Sequence, residues 1–155
     1  MKILMVCLGN ICRSPMAQGI LEHKVAENGL NVSVDSAGTS DYHVGEAPDH
    51  RAIKKSSEYG IDISHYRGRQ INADDFKIFD RILVMDASNY ENTLLVSEDD
   101  DDKKKVEMIL NLSNPNSNMS VPDPYFGEED GFENVYQLLD AACDVLIKEI
   151  KNEQS

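Results

Sequence analysis

The sequence predicts an α/β fold, a doubly wound four-stranded parallel sheet with helices on both faces. Apolar runs of strand length alternate along the chain with longer segments whose apolar residues recur at helical spacing. The first strand run, Ile3 to Val6, is apolar throughout, as a strand covered on both faces must be. A short glycine-containing loop then opens the first helical segment, at the place where such sheets hold ligands.

The elements follow in order. After Ile3–Val6, a helix from about Ser14 to Asn28 sets Ala17, Ile20, Leu21 and Val25 on one face, with Gly29 at its C-terminal stop. Asn31 to Ser36 reads as the second strand, followed by a glycine-containing loop through Tyr42. Pro48 suits the first turn of a helix that runs to Tyr59 and closes at Gly60. Phe79 to Met85 reads as a buried parallel strand, and Met85 to Asn89 leads into a short helix. The charge block from Glu98 to Lys105 reads as a solvated surface loop, with an acidic docking patch as the alternative. Val106 to Leu110 is the fourth strand. The last helix, from about Glu128 to Ile150, places Phe132, Val135, Leu139, Leu146 and Ile150 on one stripe, with Cys143 in the same row as inert core.

Composition narrows the class. A chain of 155 residues predicts one domain spanning 1–155. No stretch approaches the roughly 20 apolar residues of a membrane span, and no signal peptide is evident, so no membrane span is expected. Three cysteines, an odd number, argue against a disulfide framework and for a cytoplasmic location. A formal charge of −13 makes nucleic acid an unfavourable partner. No Cys-x2-Cys or helical His pair is present, so no metal and no cofactor are expected. No Walker loop is present either. The four histidines, His23, His43, His50 and His65, have no companions suggesting a metal site or a triad.

The chemistry concentrates in the loop Val6-Cys7-Leu8-Gly9-Asn10-Ile11-Cys12-Arg13-Ser14. A strand feeding a helix N-terminus through a short loop is an anion site, because the loop amides point inward and the helix dipole favours negative charge. Here the cradle carries a thiol, Cys7, at its first position and the guanidinium of Arg13 six residues later. A thiol among inward-facing amides, near an arginine, ionises more readily than a free cysteine of pKa ~8.5. The guanidinium fork matches two phosphate oxygens at once. The pattern reads as a nucleophile facing the phosphorus of a phosphate ester.

This Cys-x5-Arg spacing resembles the loop of the protein tyrosine phosphatases. The string Cys7-Leu8-Gly9-Asn10-Ile11-Cys12-Arg13-Ser14 near the N-terminus of a short chain is similar to that of the low-molecular-weight protein tyrosine phosphatase family. A second motif, Val121-Pro122-Asp123-Pro124-Tyr125-Phe126-Gly127, strengthens the resemblance. Expelling a phenolate whose conjugate acid has pKa ~10 calls for an acid. The prolines flanking Asp123 restrict its backbone, which suits a carboxyl held in place.

The resemblance implies a phosphotyrosine phosphatase I-like fold and hydrolysis of phosphotyrosine in protein substrates, with inorganic phosphate as product. Cys7 would form a cysteinyl-phosphate, the amides from Leu8 to Arg13 and the Arg13 side chain would hold the equatorial oxygens, and Asp123 would serve as general acid and then base. Ser14 would donate a hydroxyl hydrogen bond to Cys7, and serine also suits an N-cap. Gly9 and Asn10 would take left-handed or otherwise unusual backbone angles, and Asn10 would lock the loop through Ser36. In the family a histidine supports Asn10 as well; here its place falls on Tyr66, with His65 beside it.

Leu8 and Ile11 would form apolar pocket walls, with Tyr42 and Tyr125 stacking on the substrate ring. Phe126 stands where some relatives carry a second tyrosine. Relatives that act on phosphoarginine carry threonine where Ile11 stands, so isoleucine favours phosphotyrosine. Cys12 could form a reversible disulfide with Cys7 or serve loop packing. Arsenate reductase of the same fold would need two more cysteines downstream, and none lies between Cys12 and Cys143. A non-catalytic binding module would be expected to have lost Cys7, Arg13 or Asp123, and all three are present.

Overall fold

The computed structural model describes residues 1–125, 127 and 129–154, with the backbone alone at 129 and 130. Four strands, β1 (Lys2–Cys7), β2 (Ser33–Gly38), β3 (Arg81–Val84) and β4 (Val106–Met108), form one sheet in the order β2-β1-β3-β4, each pair parallel. The helices are α1 (Arg13–Glu27), α2 (His50–Glu58), α3 (Asp75–Ile78), α4 (Ala87–Val96), α5 (Asp100–Lys103) and α6 (Glu129–Gln154), with a 3-10 turn at Ile109–Asn111.

Alternation along β1 builds two cores. Ile3, Met5 and Cys7 face one side with Leu83 and Met85, and pack under α1 and α6 through Ile20, Leu21, Leu139 and Leu146. Leu4 and Val6 face the other side with Ile82 and Val84, against Phe76, Phe79 and α4 residues Tyr90 and Leu94. Both faces are covered, which accounts for the uninterrupted apolar run of β1. Cys143 lies in the first core, where burial pushes its thiol up to about 12. Among the described residues no helix is long and apolar enough to cross a membrane.

Several boundaries move for identifiable reasons. The second strand begins at Ser33 rather than Asn31, because Ser33 pairs with Lys2, the first residue of β1. It continues past Ser36 because Val6 and Cys7 still offer partners to Ala37 and Gly38. Gly38 is needed there, since a Cβ would stand 2.7 Å from the Leu8 carbonyl oxygen. The third strand loses Phe79 and Asp80: the Phe79 amide closes α3 on the Asp75 carbonyl, and the Asp80 amide bonds to Lys2. The fourth ends at Met108, opposite the last residue of β3, and Ile109 and Leu110 enter the 3-10 turn.

Pro48 lies outside α2, whose N-cap is Asp49; that carboxylate accepts from the Arg51 amide at 2.9 Å. The charge block is solvated over most of its length, as expected, but part of it is helical rather than loop. Asp99 caps α5 by accepting from the Asp102 amide at 2.8 Å. The Asp102 carboxylate is buried, accepts from the Glu98 amide at 2.9 Å and pairs with Lys77 at 3.3 Å. The last helix extends beyond Ile150 to Gln154, while its expected start at Glu128 lies outside the described residues.

Candidate active site

Residues 8–12 cross the carboxyl end of β1, which has β2 on one side and β3 on the other, at the switch point of the sheet. Cys7 ends the strand and Arg13 begins α1, so both are carried by regular structure and both are 3% exposed. The Cys7 sulfur lies 3.0 Å from the Ser14 hydroxyl and accepts from the Asn10 amide at 3.3 Å. Ser14 is therefore not an N-cap: it is the second residue of α1, its hydroxyl is turned to Cys7, and the N-cap is Cys12, which makes no side-chain cap bond.

Asn10 holds the loop. Its φ is +58°, the left-handed conformation that asparagine tolerates. Its side-chain amide donates to Ser14 at 2.8 Å and to Ser36 at 3.0 Å, while its carbonyl accepts from the Arg69 amide at 3.0 Å. Gly9 is not in the left-handed conformation, which was one of the two alternatives expected of it. What it contributes is space, since a Cβ there would stand 3.0 Å from His43 Cδ2. Tyr66 does not reach Asn10 in the place of the family histidine; its hydroxyl donates to Glu22 at 2.8 Å, and His65 packs edge-on against its ring. The residue that supports Ser36 from behind is Gln18, whose carbonyl accepts the Ser36 hydroxyl at 2.7 Å.

Arg13 ties three loops together. One terminal nitrogen donates to the Asp86 carboxylate at 2.7 Å and to the Val121 carbonyl at 3.0 Å, and the other lies 3.6 Å from Asp123. Asp86 follows β3 and also caps α4, accepting from the Asn89 amide. Its helix-cap position at the carboxyl end of a strand was the available sequence signal for its place here.

The 121–125 segment is anchored at both ends. The Val121 amide donates to the Met85 carbonyl, and Arg51 donates to the Tyr125 carbonyl at 3.0 Å. Asp123 bends back to accept from the Tyr125 amide at 3.0 Å, an Asx turn that aims its other oxygen toward Arg13. Arg51 is itself gripped by Asp49, and that hydrogen-bonded guanidinium holds the Asp49 carboxyl below its usual range. Phe126 lies outside the described residues.

These groups surround a cavity of about 180 Å³ lined by the polar Cys7, Cys12, Arg13 and Asp123 and by Leu8, Ile11, Tyr42, His43 and Tyr125. Tyr42 is 72% exposed and forms the rim. His43 was not singled out from the sequence. It pairs with Glu46 at 2.9 Å and lies 6.5 Å from the Tyr125 ring. Its segment is pinned by reciprocal amide bonds, Gly45 to the Gly68 carbonyl and Gly68 to that of Glu46. Cys7, Cys12 and Cys143 are all free thiols. Burial, followed by the charges of Asp49, Cys7 and Asp123, pushes the Cys12 thiol far up. No group of three His, Cys, Asp or Glu side chains among the described residues could hold a metal ion.

The arrangement suits an oxyanion. A thiol with two hydrogen-bond partners, a guanidinium and a carboxyl 3.6 Å from that guanidinium line one cavity, and apolar side chains complete its lining.

The sequence matches the family model for low molecular weight phosphotyrosine protein phosphatase over residues 2–155. The Homo sapiens protein named low molecular weight phosphotyrosine protein phosphatase is 40% identical over 145 residues, covering 92% of this chain and 90% of that one. The crystal structure of protein tyrosine phosphatase from Entamoeba histolytica, with Hepes in its active site, superposes with a TM-score of 0.92 at 36% identity, covering 100% of this chain and 99% of that one. Drosophila arginine phosphatase superposes at 0.90 with 32% identity, covering 97% of this chain and 98% of that one.

Proposed function

The chain belongs to the low molecular weight phosphotyrosine protein phosphatase family, and from that premise we propose that it hydrolyses phosphotyrosine in protein substrates through a cysteinyl-phosphate on Cys7. The observation that carries the proposal is the convergence on one cavity of Cys7, Arg13 and Asp123, the last arriving from a loop more than a hundred residues away in the chain.

The Cys7 thiolate attacks phosphorus in line with the phenolic oxygen. The amides of the 8–13 loop and the Arg13 guanidinium hold the three equatorial oxygens, so that charge developing in the transition state meets dipoles already in place. Arg13 is kept in position by Asp86 and the Val121 carbonyl, which limits the reorganisation needed at the reacting phosphate. Asp123 protonates the departing phenolate. As a carboxylate it then takes a proton from the water that cleaves the phosphocysteine, releasing inorganic phosphate. Ser14 donates to the sulfur, which favours the thiolate as nucleophile and as leaving group. Every role falls to a protein group, so neither metal nor cofactor takes part.

Ile11 and Leu8 offer apolar surface to a phenyl ring, and Tyr42 and Tyr125 flank it. Isoleucine has no hydroxyl to bond a guanidino nitrogen, so the walls favour an aryl ester over a phosphoramidate. The test is release of phosphate from a phosphotyrosine peptide in excess chelator, beside a phosphoarginine peptide of the same sequence. Rapid release from the first and slow release from the second is expected. Absence of release from the phosphotyrosine peptide would sink the proposal, and preference for phosphoarginine would correct the substrate.

Cys12 lines the same cavity as Cys7 and is a free thiol, which places it to resolve an oxidised Cys7, although burial holds it protonated and so slows its attack. Peroxide converts the Cys7 thiolate to a sulfenic acid, and the Cys12 sulfur then displaces water to form a disulfide. Activity lost to peroxide treatment long enough to carry an unprotected sulfenic acid on to the sulfinic acid should return with dithiothreitol in the wild type and fail to return in Cys12→Ser. Equal recovery in both would remove Cys12 from this role.

A further inference from the structure

The Asn10–Ser14–Cys7 contacts are the inner end of a longer chain of hydrogen bonds that leaves the cavity and reaches the protein surface. Followed outward, Asn10 donates to Ser36, Ser36 donates to the Gln18 carbonyl at 2.7 Å, and the Gln18 amide donates to Glu22 at 2.8 Å and to the Val34 carbonyl at 3.3 Å. Tyr66 donates to the second oxygen of Glu22 at 2.8 Å. Gln18 and Ser36 are buried, and Glu22 and Tyr66 are half-buried. Burial of Tyr66 and its bond to Glu22 push the phenol up, so it remains a donor.

The directions of these bonds are coupled. The outer anchor is a carboxylate, which can only accept. Glu22 and the Val34 carbonyl, two acceptors, hold the amide end of Gln18 outward and so turn its carbonyl toward Ser36. That carbonyl takes the Ser36 hydroxyl proton. With its proton committed, the Ser36 oxygen can only accept from Asn10, which, together with the Arg69 amide on the Asn10 carbonyl, keeps the Asn10 amide facing Ser36 and Ser14. Ser14, accepting from Asn10, has its own proton left for the Cys7 sulfur. If the Ser36 proton were free it could point at Asn10 and draw the side chain toward the flipped orientation, against the Arg69 amide alone. The Ser14 proton would then be drawn to the Asn10 carbonyl and away from the thiolate.

We propose that Gln18, Glu22 and Tyr66 are positioning residues for the nucleophile, a hydrogen-bond relay that orients Asn10 and commits the Ser14 proton to Cys7. The proposal rests on the reading of Cys7 as nucleophile. It is distinct from a charge effect, and the two differ in sign. Removing the negative charge of Glu22 by itself makes a nearby thiolate easier to form, whereas breaking the relay makes it harder. The other charged groups are untouched by the variants below: Arg13 with Asp86 and Asp123 at the inner end, and Asp35 and Asp62 around Tyr66 at the outer end.

The experiment measures the rate at which iodoacetamide alkylates Cys7 at pH 6, resolved from Cys12 and Cys143 by peptide mass spectrometry. The thiolate is the reactive form, so the rate reports its availability independently of any phosphatase assay. Gln18→Met and Glu22→Met fill similar volume and break the relay; each is expected to slow Cys7 alkylation by about tenfold, the scale of one hydrogen bond. Glu22→Gln removes the charge but can still accept from Gln18 and donate to Tyr66, so its rate should stay within about twofold of wild type. Tyr66→Phe, which removes only the outermost donor, should slow alkylation by about twofold.

Inhibition by inorganic phosphate should be unaltered in all four variants, because Arg13 and the loop amides are retained. Wild-type or faster alkylation in both methionine variants would overturn the relay. So would loss of phosphate inhibition in step with the alkylation rate, which would mean that the loop had collapsed as a whole. If Cys7 of the wild type fails to react ahead of Cys12 and Cys143, the nucleophile assignment itself falls, and the relay with it.

Discussion

Cys7→Ser should abolish phosphate release from a phosphotyrosine peptide, by on the order of 10⁴-fold or more, as when a hydrolase loses its nucleophile. The substitution changes one atom in a buried position at the end of β1 and leaves the rest of the cradle intact. Serine fills nearly the same volume, can take part in the same hydrogen bonds with Ser14 and the Asn10 amide, and leaves Arg13 and the loop amides free to hold phosphate. It cannot supply an anion at neutral pH, because a hydroxyl with no adjacent base remains protonated. Binding should therefore survive while chemistry stops. The measurement pairs turnover in chelator with isothermal titration of the unhydrolysed peptide into the variant. Equal turnover in wild type and variant would mean that another group attacks phosphorus. Binding without turnover in the wild type would make the protein a phosphotyrosine-binding module.

Asp123→Asn should lower kcat by about 10²–10⁴-fold on a phenyl ester with a poor leaving group, and by far less on one whose leaving phenol is acidic enough to depart unprotonated. Asparagine keeps an oxygen to accept from the Tyr125 amide, so the turn that aims position 123 at Arg13 should persist. The 3.6 Å approach to Arg13 loses its charge, yet that guanidinium remains held by Asp86 and Val121, and KM should change little. The informative result is the slope of log kcat against leaving-group pKa, which should be shallow in wild type and steep in the variant. A uniform fall across leaving groups would assign Asp123 to positioning rather than proton transfer.

Sheet class and element order were legible because they rest on short-range regularities. The run Ile3–Val6, the stripe of α6 and the glycine stops each lie within a few turns of chain. Boundaries were legible to within a few residues and moved where pairing length decided them. The second strand slid to Ser33–Gly38 because β1 set its register, and the fourth stopped at Met108 because β3 had ended. The charge block is solvated as expected, but its short helix was not legible, because composition alone does not show that Asp99 caps a helical turn or that Asp102 is buried and accepts the Glu98 amide. Ser14 suited an N-cap by residue type, but the neighbouring sulfur held its hydroxyl.

The sequence by itself determined the reactive set. A thiol, an arginine and the amides between them lie in one eight-residue loop between a strand and a helix, so their proximity follows from local chain geometry, and the Pro-Asp-Pro segment announces a restrained carboxyl. Only the tertiary structure decided what holds that set in place. Arg13 meets Asp86 across 73 residues and the Val121 carbonyl across 108, His43 reaches the cavity wall, and Gln18, Glu22 and Tyr66 extend the support of Asn10 outward. Apart from Gln18 and Glu22, one turn apart on α1, these partners are distant in the chain and come together through strand order and helix packing. Apart from Asp86, whose helix-cap position was a signal, each is an ordinary acid, amide or ring whose residue type says nothing until the fold supplies its neighbour.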